Sequence, residues 1–322
     1  MKCTNKKRTG LLCFICITAI FMNGCGTQKV ALEHPYSLYE SKASAEASPL
    51  FAENLCVTEK INFGTDQVQS TVAEAAGVFN TTTKEVTYSQ NLFKKMYPAS
   101  TTKVLTAYVI LKNGNLDDKV TVSKEAVANM GGSSVCGIAE GDILTVRDLL
   151  YGLMLVSGND AANALAEYCS GSVEAFAKEM NKESKALGAT GSHFVNANGL
   201  PDEKHYTTVY DMYLLFQAAL SLPEFVSIIN TPSYDASYTN ASGETVTKTW
   251  KNTNKYLSEE VKAPEGIQVI GGKTGTTNAA GYCLVLYSTN RKKENIISIV
   301  FKADGRSNLY LLMNEILAGF AN

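Results

Sequence analysis

Strand-like runs stand at both ends of the folded part of this chain, and helices fill its middle. Ala75 to Asn80, a Thr-Thr-Thr-Lys turn and Glu85 to Ser89 read as a hairpin. Tyr282 to Ser288 and Asn295 to Phe301 are β-rich runs on either side of Thr-Asn-Arg-Lys-Lys, a second hairpin. Between them, capping and periodicity predict helices over Ser100 to Leu111, Thr145 to Val156, Asp160 to Tyr168, Ser172 to Leu187 and Tyr210 to Ser221. A last helix is predicted from Asn308 to Phe320. Strands around a helical middle predict an α+β domain in which both strand sets share one antiparallel sheet.

Upstream of that domain the chain reads as an address and a tether. Lys2, Lys6, Lys7 and Arg8 precede an apolar run, Leu11 to Met22, of 12 residues. That is short of the ~20 helical residues a bilayer requires, so it reads as an export signal. Met22-Asn23-Gly24-Cys25 follows, a small residue before a cysteine, as in a bacterial lipobox. The expectation is a signal peptide over 1–24, a lipid on Cys25, a tether over 25–70 and the folded domain over 71–322. A plain secretory signal with an incidental cysteine is the alternative. The tether is expected from its Ala, Ser and Glu content, for example Ser41 to Ser48.

Charge and cysteines narrow the function classes. The 322 residues are 45% hydrophobic, with a formal net charge of −2. No basic excess is present to neutralise phosphates, which argues against nucleic acid as a partner. Of eight cysteines, Cys56, Cys136, Cys169 and Cys283 lie beyond Cys25. They are widely spaced and form no Cys-x-x-Cys pair, so no metal site is expected. Disulfides are permitted outside the cell, but buried thiols are the simpler reading.

Three short motifs carry chemistry. In Pro98-Ala-Ser100-Thr-Thr-Lys103 a serine opens a helix and a lysine follows on the same helical face. Their side chains can meet as nucleophile and base if the lysine is neutral. Ser-x-x-Lys arises about once by chance in a chain this long at average usage, so alone it equally describes a helix cap and a solvated lysine. Ser157-Gly158-Asn159 lies between two apolar helices, where a tight turn can present a hydroxyl and an amide to a cleft. Gly271-Gly-Lys273-Thr274-Gly275-Thr276-Thr277 is a glycine-rich strand edge bearing one cation. It is not a phosphate-binding P-loop: the required glycine position is Ile267, and a strand-like run follows instead of a helix.

In this order the three motifs form the set found in penicillin-binding proteins and class A β-lactamases. With Asn198-Gly-Leu-Pro201 and His205-Tyr-Thr-Thr208, the chain from about Thr71 onward resembles the D-alanyl-D-alanine carboxypeptidases among low-molecular-mass penicillin-binding proteins. The resemblance implies a β-lactamase/transpeptidase-like fold, with a five-stranded antiparallel sheet flanked by helices and a helical subdomain. It departs in two places. Relatives carry a further β-rich domain and a C-terminal amphipathic anchor, and neither is expected after the last helix here. Thr276 stands where the family often has His or Tyr.

The resemblance also implies roles. Ser100 would attack the penultimate carbonyl of a peptidoglycan stem peptide ending in D-Ala-D-Ala, and Lys103 would take its proton. Ser157 would relay a proton to the leaving amine, and Asn159 would orient Lys103. Lys273, Thr274, Gly275 and Thr276 would bind substrate, Thr276 through its backbone N–H, with Arg306 a further partner for the terminal carboxylate. β-Lactams would acylate Ser100. No cofactor is implied. The implied location is the outer face of a bacterial cytoplasmic membrane, held by a lipid on Cys25, or secretion.

Two rivals follow from the same residues. Class A β-lactamases have Asp where Gly158 stands, and a Glu-x-x-x-Asn between the second and third motifs. The only such pattern here, Glu125 to Asn129, precedes Ser157. A non-catalytic β-lactam-binding sensor is the other rival. His34, His193 and His205 are the only histidines, no Gly-x-Ser-x-Gly elbow accompanies them, and His193 and His205 read as structural.

Overall fold

A computed structural model describes residues 52–322. The expected signal peptide, Cys25 and His34 lie outside the described residues. Among the described residues, nine strands and seven α-helices follow in the order expected of an α+β chain. β1 (Ala73–Asn80) and β2 (Glu85–Gln90) form the first hairpin. β7 (Gln268–Thr277), β8 (Gly281–Thr289) and β9 (Asn295–Ala303) form a meander near the other end. All five join in one antiparallel sheet of order β2-β1-β9-β8-β7. The first and last strands of the described residues therefore meet at β1 and β9, with Val78 opposite Ser298.

The helices sort into two layers. α7 (Arg306–Phe320) covers one face of the sheet, burying Leu309, Leu312, Met313 and Ile316 against Ala76, Leu284 and Val300. The other face carries Ala75, Phe79, Val285 and Ile299, which join the helical core. There Phe79 stacks on Tyr213 of α5 (Val209–Leu220), with ring centroids 4.2 Å apart. Such a pair contributes roughly 0.5–1.5 kcal/mol beyond its buried area. α1 (Lys103–Asn113) runs through the middle of this core with Val104, Leu105, Val109 and Ile110 fully buried.

Local chemistry sets the helix starts. Thr145 caps α2 (Val146–Leu155) in a capping box with Asp148, and Ser172 caps α4 (Val173–Ala186). α3 (Asn159–Ser170) ends at Gly171, left-handed at φ 80°. α6 (Pro223–Ile229) starts with proline in its first turn.

Three features differ from the sequence reading. Packed chain is already present before Thr71, inside the segment expected as a tether over 25–70. Cys56 is fully buried, its N–H donates to Tyr213 Oη at 2.8 Å, and Phe63 pairs with Ser89. The helix expected from Ser100 opens as a 3₁₀ turn, Ala99–Thr102, before α1. A second sheet, unanticipated, comprises β3 (Lys119–Thr121), β4 (Ile143–Thr145), β5 (Ser233–Thr239) and β6 (Thr245–Lys251).

Candidate active site

The three motifs converge although they come from three separate elements. The 3₁₀ turn presents Ser100. The break between α2 and α3 presents Ser157 and Asn159. β7, an edge strand of the large sheet, presents Lys273 to Thr276. Ser100 stands between two chambers of about 330 and 480 Å³. The first holds Ser157, Thr274, Gly275 and Arg306; the second holds Asn159, Asn198, Leu200 and Asn278; Thr276 borders both.

Lys103 is wholly buried, and its Nζ has three oxygen neighbours. Asn159 Oδ1 is at 2.7 Å, the Asn198 carbonyl at 2.6 Å and Ser100 Oγ at 3.2 Å. Burial first, then the charge of Lys273, holds its ammonium form well below the usual lysine range. A neutral amine has two hydrogens and one lone pair. Asn159 Oδ1 and the Asn198 carbonyl can only accept, so they take both hydrogens. The lone pair is left for the Ser100 hydroxyl proton. This is the arrangement that activates a serine.

Lys273 is also buried and donates to the Thr274 carbonyl at 2.8 Å. Burial pushes its ammonium down to about 7. Thr274 Oγ1 shares a hydrogen bond with Thr253 Oγ1 at 2.7 Å. Arg306 opens α7 beside the first chamber, with its guanidinium 5.9 Å from the Tyr282 ring centroid. Ser100, Ser157, Asn159, Thr274, Gly275 and Thr276 thus line the two chambers with Arg306, while Lys103 and Lys273 are buried and line neither.

Ser157 is the strained member. Its φ is +63°, unusual for a residue with a side chain, and its buried Oγ has no partner within the protein. Strain and an unsatisfied hydroxyl at one residue fit a group waiting for a ligand.

Two participants were given no role in the sequence reading. The Asn198 carbonyl is one, since any residue supplies a carbonyl; only the Asn-Gly turn signal at 198–199 hinted at an unusual backbone. Asp160 is the other. Its carboxylate accepts the backbone N–H groups of Cys136, Gly137 and Ile138 at 2.8, 2.9 and 3.3 Å. It thereby holds the loop that carries Ser133 and Ser134 into the cleft. Trp250 Nε1–H donates to the Cys136 carbonyl at 3.2 Å from the other side. The described cysteines are free thiols: Cys56, Cys136 and Cys283 are buried and Cys169 is half-buried.

An α+β fold with a buried lysine aimed at a helix-start serine, opposite a Lys-Thr-Gly strand, is an arrangement chemically able to transfer an acyl group through that serine. A family model described as D-alanyl-D-alanine carboxypeptidase matches residues 62–305, and the chain belongs to that family. It is 36% identical to the D-alanyl-D-alanine carboxypeptidase DacF of Bacillus subtilis, over 72% of this chain and 57% of that one. It is 37% identical to a D-alanyl-D-alanine carboxypeptidase of Streptomyces sp. strain K15, over 71% of this chain and 81% of that one. The fold matches a crystal structure of the Streptomyces K15 DD-transpeptidase with a TM-score of 0.71 at 32% identity, covering 77% of this chain and 96% of that one.

Proposed function

We propose that this chain is a serine-type D-Ala-D-Ala carboxypeptidase acting on peptidoglycan stem peptides. One observation carries the reading: the Lys103 lone pair faces Ser100 Oγ between two chambers large enough for the two sides of a scissile bond. Ser100 Oγ attacks the penultimate carbonyl while its proton passes to Lys103. The oxyanion is held by the backbone N–H groups of Ser100 and Thr276. The C–N bond then breaks: Ser157 Oγ–H gives its proton to the leaving amine and regains one from protonated Lys103, which returns to the neutral amine, and D-alanine departs. Lys273, Thr274 and Arg306 receive its carboxylate. Water hydrolyses the ester and restores Ser100. A β-lactam acylates Ser100 by the same first step.

The test is intact mass with and without benzylpenicillin, beside D-Ala release from a diacetyl-L-Lys-D-Ala-D-Ala peptide. A one-to-one adduct on Ser100 with D-Ala release is the expected result. An adduct without release would favour a sensor, or a transpeptidase that needs another acceptor. Rapid turnover of benzylpenicillin itself would favour a β-lactamase. We further propose export and lipid attachment at Cys25, on the sequence of residues 1–25 alone. Labelled fatty acid should enter the cell-associated protein and be lost in Cys25→Ala; a label-free, secreted parent protein would refute the anchor.

A further inference from the structure

Three ties join the 3₁₀ turn and the first turn of α1 to the loop that supplies the Asn198 carbonyl. Thr106 Oγ1–H donates to the Ala197 carbonyl at 2.6 Å, and Lys103 Nζ donates to Asn198. The third tie runs through a histidine. His205 is 1% exposed, and its Nε2 lies 2.8 Å from Thr102 Oγ1. Its Nδ1 accepts the Val195 N–H at 3.2 Å. A ring nitrogen that accepts carries no proton, so Nε2 holds the hydrogen and donates it to Thr102. The His205 ring also meets Phe194 edge-on, with centroids 5.4 Å apart. One imidazole therefore closes the loop on itself, from Val195 to His205, and fastens it to the residue beside Lys103. The loop's middle has little room to shift. A Cβ on Gly199 would stand 2.9 Å from Thr102 Oγ1 and 1.9 Å from the Ala99 carbonyl oxygen.

We propose that His205, acting through Thr102, is a positioning residue for acyl transfer: it fixes the Asn198 carbonyl that takes one Lys103 amine hydrogen, and so aims the lone pair at Ser100. The inference rests on the acyl-transfer function proposed above. Neither His205 nor Thr102 lines either chamber, so neither touches substrate. Loosening the tie frees the amine to rotate about its last carbon–nitrogen bond and turn its lone pair away. Ligand affinity has no reason to change. Burial, with His193 and Lys103 opposing Asp202, pushes the His205 imidazole down to about 4, so the neutral ring persists near neutral pH.

The full chain is tested with benzylpenicillin in rapid-mixing experiments that separate the acylation rate constant from the dissociation constant of the initial complex. Thr102→Val removes the hydroxyl and keeps the shape; Thr102→Ser keeps the hydroxyl. His205→Asn can still accept from Val195 but is too short to reach Thr102. We expect Thr102→Val and His205→Asn each to slow acylation by roughly ten- to a hundredfold at unchanged dissociation constant. Thr102→Ser should acylate at the parent rate, and the Val/Asn double variant should be no slower than either single one. Because two different residues report on one tie, failure of one variant to fold leaves the other as the test. An unchanged rate in a folded variant, equal losses in Thr102→Val and Thr102→Ser, or weakened binding at unchanged rate would each overturn the inference. No adduct on the parent chain would instead overturn the proposed function, and the inference with it.

Discussion

Gly275 lies flat against the backbone of Ser100: a Cβ on Gly275 would stand 3.0 Å from the Ser100 amide nitrogen and 3.1 Å from the Pro98 carbonyl oxygen. β7 and the turn that bears Ser100 are therefore spaced by the absence of one methyl group. Backbone on both sides leaves little to give way. Gly275→Ala should slow penicillin acylation by about a hundredfold while the protein stays folded. Acylation at the parent rate, with an unchanged circular dichroism spectrum, would show that the spacing is not critical.

Ser157 combines a strained backbone with a buried hydroxyl that has no protein partner. Removing an unsatisfied hydroxyl relieves a desolvation cost of about 1 kcal/mol or more. Ser157→Ala should therefore keep or raise the urea midpoint while turnover of the D-Ala-D-Ala peptide falls by about 10²–10⁴. Lower stability with normal turnover would make Ser157 a structural residue only.

Gly158 packs directly on a thiol. A Cβ on Gly158 would come within 2.1 Å of Cys136 Sγ. This gives a physical reason why the second motif here cannot take the Asp found in class A β-lactamases. Gly158→Ala should cost about 1–3 kcal/mol by overpacking. Adding Cys136→Ala should recover part of that loss, with a coupling of about 0.5 kcal/mol or more in a double-mutant cycle by urea unfolding. Strict additivity would place the strain elsewhere.

Lys273 sets two opposite pH trends. Its folded pKa, about 7, lies below the ordinary lysine range. The unfolded chain thus binds more protons in that interval, so stability rises with pH from about 7 towards ~10.4 and is lost as pH falls back to 7. A carboxylate ligand needs the ammonium form, so its affinity moves the other way. KM for the D-Ala-D-Ala peptide should climb above about pH 7, by up to about tenfold per unit, while that of its C-terminal amide stays flat. Parallel profiles for the two peptides would remove Lys273 from carboxylate binding.

Much of the molecule was legible in its residues, for identifiable reasons. The large sheet was readable because β1, β8 and β9 are long apolar runs. The site was readable because Ser100 and Lys103 obey helical spacing even where the helix begins as a 3₁₀ turn. The smaller sheet was missed because β3 and β4 have three residues each, and β5 and β6 expose serine and threonine outward. Tyr234, Ala236 and Tyr238 do alternate with polar residues across from Val246, Lys248 and Trp250, and that period of two was the available signal. The packed segment before Thr71 was hidden because its polar composition says nothing of the Tyr213 and Tyr210 hydroxyls that hold Cys56. The Asn198 carbonyl had no side-chain signature at all.

β9 is the strand that stands between the beginning of the chain and its end, with β1 on one side and β8 on the other. Until Asn295–Ala303 has taken that place, the sheet exists as two unjoined pieces, one leading into the turn of Ser100 and one containing Lys273. Long-range pairings of this kind form late and slowly. A chain in which β9 is still unpaired therefore has every residue of the three motifs and no assembled site. The site comes together only when that last strand is in hand.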